Sequence, residues 1–273
     1  MTSDGHYTLN NAINQAEIAQ FFYKNGYVII DNAVPDTVLQ NIRADLYRAD
    51  SKKKPNRDIT RHNMHKCFFE ISPKTTNFIL NSQLVDFIQY MIADVPGNRG
   101  NTLTAHLIHN NAFIVPPGGR GQAPTWHTDD ALQNVILPEG ARIPDNVRLP
   151  VMVCTCMIWL SDCLEAENGP TFVVPGSHRF GRVVDPKYAD AHGIPACGRA
   201  GSAVIINNQL WHRGAHNMSN VPRETLQLTF GRRIIGHKFR SIMNYMMPAH
   251  VTEHLKTDAQ KARMGFLEGG AYS

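Results

Sequence analysis

Thr225-Leu226-Gln227-Leu228-Thr229-Phe230 alternates polar and apolar side chains, which is the period of a β-strand that buries one face. The pattern predicts a strand over 225–235. Before it, short apolar runs broken by Gly, Pro and Asn predict further strands over 102–108, 112–115, 151–160, 171–174 and 203–206. So many short strands with no helical stretch between them point to a mainly β protein with flanking helices, closed as a barrel or jelly roll.

The front of the chain has a different texture. Ala16, Ile18, Ala19, Phe21 and Phe22 recur at helical spacing and Gly26 stops the helix, after which Tyr27-Val28-Ile29-Ile30 reads as a strand. Val38, Leu39, Ile42 and Leu46, beyond Pro35, mark a second helix, and a third is expected over 83–93. A short polar helix is expected over 253–263, preceded by Met243, Met246 and Met247 as packing residues. The expected organisation is one domain over 1–273: a largely helical part (1–96), a jelly-roll core (97–240) and a C-terminal extension (241–273).

Composition narrows the function. With 42% hydrophobic and 18% charged residues the chain is an ordinary globular sequence, neither fibrous nor disordered. The net charge of +4 comes from scattered Lys and Arg, without the stripe and interleaved aromatics that nucleic acid requires. The dense run Lys52-Lys53-Lys54 has no apolar period and reads as a solvated loop. Five cysteines (Cys67, Cys154, Cys156, Cys163 and Cys197) without a CxxC pair argue against a disulfide framework or zinc knuckle. No long apolar segment and no apolar leader is visible, so a cytoplasmic protein without a membrane span is expected.

Four motifs carry chemistry. In Trp126-His127-Thr128-Asp129, a His-X-Asp pair supplies an imidazole and a hard carboxylate, two of the three ligands of the facial triad found in non-heme Fe(II) sites. Roughly one such match is expected by chance here, so context must support it. His212, in Leu210-Trp211-His212-Arg213-Gly214-Ala215-His216-Asn217, follows an apolar strand and could complete the triad, with His216 as its rival. Arg223 lies eleven positions after His212 at the head of the alternating strand, where a guanidinium could grip a carboxylate in a fork. The pair His109 and Arg120 has the same spacing but no strand follows it. The fourth motif is Asn168-Gly169-Pro170-Thr171 with Pro175-Gly176-Ser177-His178, a short strand between two turns.

In this order the four motifs resemble the phytanoyl-CoA dioxygenase family of Fe(II)/2-oxoglutarate-dependent oxygenases, and 21–30 resembles that family's opening helix and strand. The resemblance spans about 17–233. It implies a double-stranded β-helix in which His127, Asp129 and His212 bind Fe(II), Arg223 binds the distal carboxylate of 2-oxoglutarate, and Thr171 hydrogen-bonds the cosubstrate. Relatives commonly carry a Gln on the strand before the His-X-Asp loop, and Asn110 is the best-aligned candidate for that contact. They also often have a Lys before the Pro-Gly of that loop, where this chain has Val115-Pro116, so the cosubstrate shell is expected to be arranged differently.

The reaction implied consumes 2-oxoglutarate and O2. Related halogenases have Gly or Ala at the position of Asp129; the carboxylate here favours hydroxylation, or desaturation or cyclisation, of a small organic molecule of secondary metabolism. Trp126, Arg61, Asn63 and His65 are the substrate-contact candidates, and a homodimer is a permitted assembly. Two readings compete: a non-catalytic jelly roll that binds a ligand or senses 2-oxoglutarate, and a zinc hydrolase using the same His/Asp/His set. The intact arginine argues against the first, and the second gives Arg223 and Thr171 nothing to do.

Overall fold

The computed structural model describes residues 5–10, 14–53, 62–94, 105–121, 123–129, 135–239 and 245–266. Among these residues lie ten strands: β1 (His6–Tyr7), β2 (Tyr27–Ile30), β3 (Asn63–Lys66), β4 (Ala105–Val115), β5 (Val153–Trp159), β6 (Thr171–Val173), β7 (Ile194–Ala196), β8 (Ala203–Asn207), β9 (His212–Gly214) and β10 (Arg223–Arg232). Eight α-helices among the described residues accompany them: α1 (Gln15–Asn25), α2 (Asp36–Asp50), α3 (Phe68–Ile71), α4 (Pro73–Leu80), α5 (Gln83–Ala93), α6 (Pro186–His192), α7 (Ala249–Thr252) and α8 (Asp258–Arg263).

A seven-stranded sheet runs in the order β1-β2-β8-β5-β10-β4-β3, and a three-stranded sheet runs β7-β6-β9. The fold is the jelly roll, with non-consecutive antiparallel strands as neighbours in both sheets. One apolar core joins the large sheet to the helices. Leu226, Leu228 and Phe230 of β10 meet Ile18 and Phe22 of α1, Ile42 of α2 and Phe87 of α5 in that cluster. Burying each such side chain contributes about 1.5–3 kcal/mol.

The polar alternates of β10 are not solvated. Thr225 and Gln227 line a cavity between the sheets, so both faces of the strand are buried. That differs from the one-face reading of the alternation, because here polar means facing the site rather than facing water.

The two strands expected over 102–108 and 112–115 are one strand. In the β4–β10 ladder Thr229 faces His109 but Phe230 faces Leu107, so Ile108 is a β-bulge. The extra residue inverts the side-chain parity: Ala105 and Leu107 before it and Ala112 and Ile114 after it all face the helical core. At the C-terminal end the helix expected over 253–263 is confined to α8, and a further short helix, α7, precedes it; Met247 packs on the core, Met246 is exposed, and Met243 lies outside the described residues.

Gly26 joins the two layers. It caps α1 with φ at 79°, donating its N–H to Phe22 O at 2.7 Å, and a Cβ there would come within 2.5 Å of His178 Nδ1. Both the left-handed backbone and the close approach require glycine.

Candidate active site

His212 opens β9, where it lies between Val173 of β6 and the His127 segment. His127 and His212 are paired backbone to backbone, and Asp129 N–H donates to Asn208 O at 3.0 Å, so the His-X-Asp loop extends the small sheet. The rings lie 4.3 Å apart between centroids. Asp129 Oδ1 is 3.8 Å from Nε2 of both histidines, and one donor atom from each of the three residues falls within 4.8 Å of the others. Among the described residues this is the one such His, Cys, Asp and Glu group.

Hydrogen bonding fixes which nitrogen faces the cluster. His127 Nδ1–H donates to Thr125 O and His212 Nδ1–H donates to Leu210 O, each at 2.8 Å. A carbonyl can only accept, so each Nδ1 carries the proton and each Nε2 lone pair is left for an electrophile. Burial holds the His212 imidazole below its ordinary value, with His127 pushing the same way and Asp129 opposing, which favours the neutral, ligating form.

Thr155 backs the carboxylate. Its hydroxyl lies 3.4 Å from Asp129 Oδ2, 3.3 Å from Asn208 Oδ1 and 3.1 Å from Thr229 Oγ1, and the residue is 1% exposed. The sequence carried a signal for it: a polar residue inside the apolar run Val153-Cys154-Thr155-Cys156-Met157-Ile158.

From the triad a cavity of about 90 Å³ runs between the sheets to Arg223, passing Thr171, Met157 and Thr225. Arg223 is 8% exposed, and among the described residues its Nε has no hydrogen-bond partner. Burial lowers its guanidinium pKa, slightly opposed by Cys163. Among the described residues no carboxylate pairs with it, and a buried cation without a counter-charge is costly unless an anion fills the space beside it. Thr225 Oγ1, two residues along on the same face, is likewise buried without a partner. Together they present a positive charge and a hydroxyl to the cavity, a pairing whose chemistry suits a carboxylate. Thr171 reaches the cavity too, its hydroxyl 3.5 Å from Met157 Sδ.

The glycine-rich loop after β4 sets this end of the cavity. A Cβ on Gly121 would lie 2.5 Å from Ala215 O. Asn217, within what reads as a polar loop, is wholly buried and donates to Val115 O at 3.1 Å and Val221 O at 2.7 Å. His216, the rival ligand, is exposed and outside the cluster.

Several expected contacts are placed elsewhere. Asn110 lies on the helical face of β4, where its Oδ1 accepts from Phe69 N–H at 2.6 Å and its Nδ2 donates to Gln227 O. The bulge at Ile108 puts it there, and Asn111 takes the opposite face, within 3.4 Å of the Gln227 side chain. Asn63 and His65 pair opposite Ile114 and Ala112 and bond Asp50 of α2, at 3.2 and 2.9 Å, away from the cavity. Their neighbour His62 instead meets Phe113, a cavity residue, with ring centroids 6.1 Å apart. Trp126 is a packing residue: its indole N–H donates to Asp190 at 2.7 Å, and Arg213 sits over its ring. Arg61 lies outside the described residues.

Residues 22–225 match the sequence profile of the phytanoyl-CoA dioxygenase family. The ectoine dioxygenase of Sphingopyxis alaskensis is 24% identical over 255 residues, covering 81% of this chain and 77% of that protein. Dioxygenase trt7 of Aspergillus terreus is 22% identical over 91% of this chain and 83% of its own. Among solved structures, HygX from Streptomyces hygroscopicus with nickel, 2-oxoglutarate and hygromycin B bound superposes with a TM-score of 0.61 at 14% identity, covering 83% of this chain and 90% of that one.

Proposed function

Since the chain belongs to the phytanoyl-CoA dioxygenase family, we propose that His127, Asp129 and His212 hold the Fe(II) of a 2-oxoglutarate-dependent oxygenase, with Arg223 at the far carboxylate of the cosubstrate. The protein is an Fe(II)- and 2-oxoglutarate-dependent oxygenase that oxidises a small organic molecule. The observation that supports these residue roles is one cavity with a three-ligand cluster at one end and an uncompensated buried arginine at the other.

The donor set suits the group. Two imidazoles presenting Nε2 and one carboxylate form the combination typical of non-heme iron oxygenases. When bound, Fe(II) and 2-oxoglutarate supply the oxidant made from O2, leaving succinate and CO2. The chain's own part is to bind and orient. Arg223, with Thr225 and Thr171, fixes the dicarboxylate; Thr155 and Asn208 hold Asp129; and the apolar walls Phe113, Val115 and Ile206 exclude water. With Asp129 present, the metal keeps a third protein ligand, so hydroxylation, or desaturation or cyclisation, is the outcome proposed. Secondary metabolism is proposed for the substrate, supported by the likeness to HygX with hygromycin B bound.

Anaerobic titration with Fe(II), with and without 2-oxoglutarate, tests the assignment. A visible metal-to-ligand charge-transfer band is expected only with both present; its absence would exclude chelation here and favour a zinc hydrolase or a silent binding protein. Succinate release across a metabolite panel then identifies the substrate.

A further inference from the structure

At the other end of β4 from Val115 lies a second cavity, of about 270 Å³, larger than the one at the triad. Nine residue steps along β10 separate Arg223 from Arg232, beside this cavity, which is roughly 30 Å at the strand rise. It cannot be an annex of the first cavity.

Its lining is of two kinds. Phe239, Tyr245 and Phe266 provide an aromatic wall, and His237 stacks on Phe239 with ring planes 16° apart and centroids at 5.1 Å. Tyr245 meets both rings edge-on and donates its hydroxyl to Glu70 at 2.9 Å. The polar side is Arg233, His106 and His237, with no acidic residue among the described residues of the lining.

His106 is 5% exposed, and among the described residues its buried Nδ1 has no hydrogen-bond partner, nor has the Nδ1 of His237. Burial lowers the His106 pKa, opposed by the hydrogen bond to the Ile235 backbone and aided by His237 and Arg233, which favours the neutral ring. One ring N–H is given to the backbone of Ile235, which leaves Nδ1 as a lone-pair acceptor. A buried acceptor with no donor, beside a guanidinium and flat aromatic rings, is half of a recognition site.

We propose that this cavity is a second ligand site for a hydroxyaryl carboxylate, whose ring lies against His237 and Phe239, whose carboxylate meets Arg233, and whose hydroxyl donates to His106 Nδ1. This stands independently of the oxygenase assignment, because it shares no residue with that site.

The test uses 6-hydroxy-2-naphthoate as probe, followed by its fluorescence anisotropy on the full chain with saturating 2-oxoglutarate. One-to-one binding is expected, with 2-naphthoate and 2-naphthol each at least about tenfold weaker, since each lacks one of the two anchoring groups. Arg233→Met should lose at least about tenfold in probe affinity while still unfolding in one cooperative transition. His106→Gln should abolish the preference for the hydroxylated probe over 2-naphthoate. No binding, displacement by 2-oxoglutarate, or equal binding by Arg233→Met and wild type would each overturn the proposal.

Discussion

His127 and His212 exchange both backbone hydrogen bonds, 2.9 Å from His127 N to His212 O and 3.0 Å in return, although 85 positions separate them in the chain. The two imidazoles are therefore set by strand pairing, and each ring is then fixed by its own Nδ1–H bond to a carbonyl. The carboxylate is held differently, by a backbone bond to Asn208 and a hydroxyl from Thr155. That division yields the first prediction.

Asp129→Ala should abolish both Fe(II) binding and 2-oxoglutarate-dependent succinate release. Thr155→Val, which removes only the hydroxyl behind Asp129, should weaken Fe(II) binding about 10–100-fold, and Thr155→Ser should restore it. Anaerobic Fe(II) titration measures all three. Wild-type affinity in Thr155→Val would mean that Asn208 alone positions the carboxylate.

Arg223→Met should raise the apparent requirement for 2-oxoglutarate by about 30-fold or more, as expected for a charge-assisted contact worth about 2 kcal/mol or more. The same change should raise the unfolding temperature of the ligand-free protein, because a buried charge without a partner is replaced by an apolar side chain. Arg232, at the far end of β10 and bonded to Ile92 O at 3.0 Å, should have no such effect when replaced. A ligand-free protein destabilised by Arg223→Met would show that the guanidinium has a structural partner after all.

Thr225→Val and Asn110→Ala separate the two faces of the large sheet. The first should cost about 1 kcal/mol of cosubstrate affinity, or roughly fivefold, with little change in stability. The second should leave the 2-oxoglutarate requirement unchanged and cost about 1–3 kcal/mol of stability, because it strands the Phe69 N–H in the core. Denaturant unfolding and succinate-release kinetics on the same two proteins distinguish the outcomes; a raised requirement in Asn110→Ala would return that residue to the site.

Acid should destabilise the fold through His178. Burial, with Arg179 and Arg142 adding to it, lowers its pKa from 6.5 to about 4; among the described residues its buried Nδ1 has no partner, while Nε2–H donates to Tyr23 O at 3.1 Å. Between those values the unfolded chain takes up a proton that the folded chain refuses. Stability is therefore full above about pH 6.5 and falls as pH drops toward 4, by roughly 2–3 kcal/mol. His178→Gln should flatten that part of the stability–pH curve, and an unchanged slope would shift the effect to His65 or His106, which burial also lowers.

The candidate site was legible where its residues are close in sequence or tied to a repeating pattern. His127 and Asp129 stand two positions apart, Arg223 heads an alternating strand, and His212 follows the apolar run of β8; all four line one cavity. Thr171 was found through its flanking turns and lies there too. Substrate candidates failed for a reason of parity. Asn63 and His65 lie on a strand within the part expected to be largely helical, and Asn110, the cosubstrate candidate, lies on β4; which face each presents depends on pairing register and on one bulged residue.

The sequence by itself determined the element types, because hydrophobic period and breaker residues act locally: α1 ends at Gly26, α5 spans Gln83–Ala93, and β10 alternates. It also determined the chemistry available, an imidazole, carboxylate and guanidinium set suited to iron and a dicarboxylate. Only the tertiary structure decided that His127 pairs with His212, that Thr155 stands behind Asp129, and that Thr225 rather than Asn110 joins Arg223. Each of those depends on register between strands distant in the chain, and a shift of one residue exchanges the two faces of a strand.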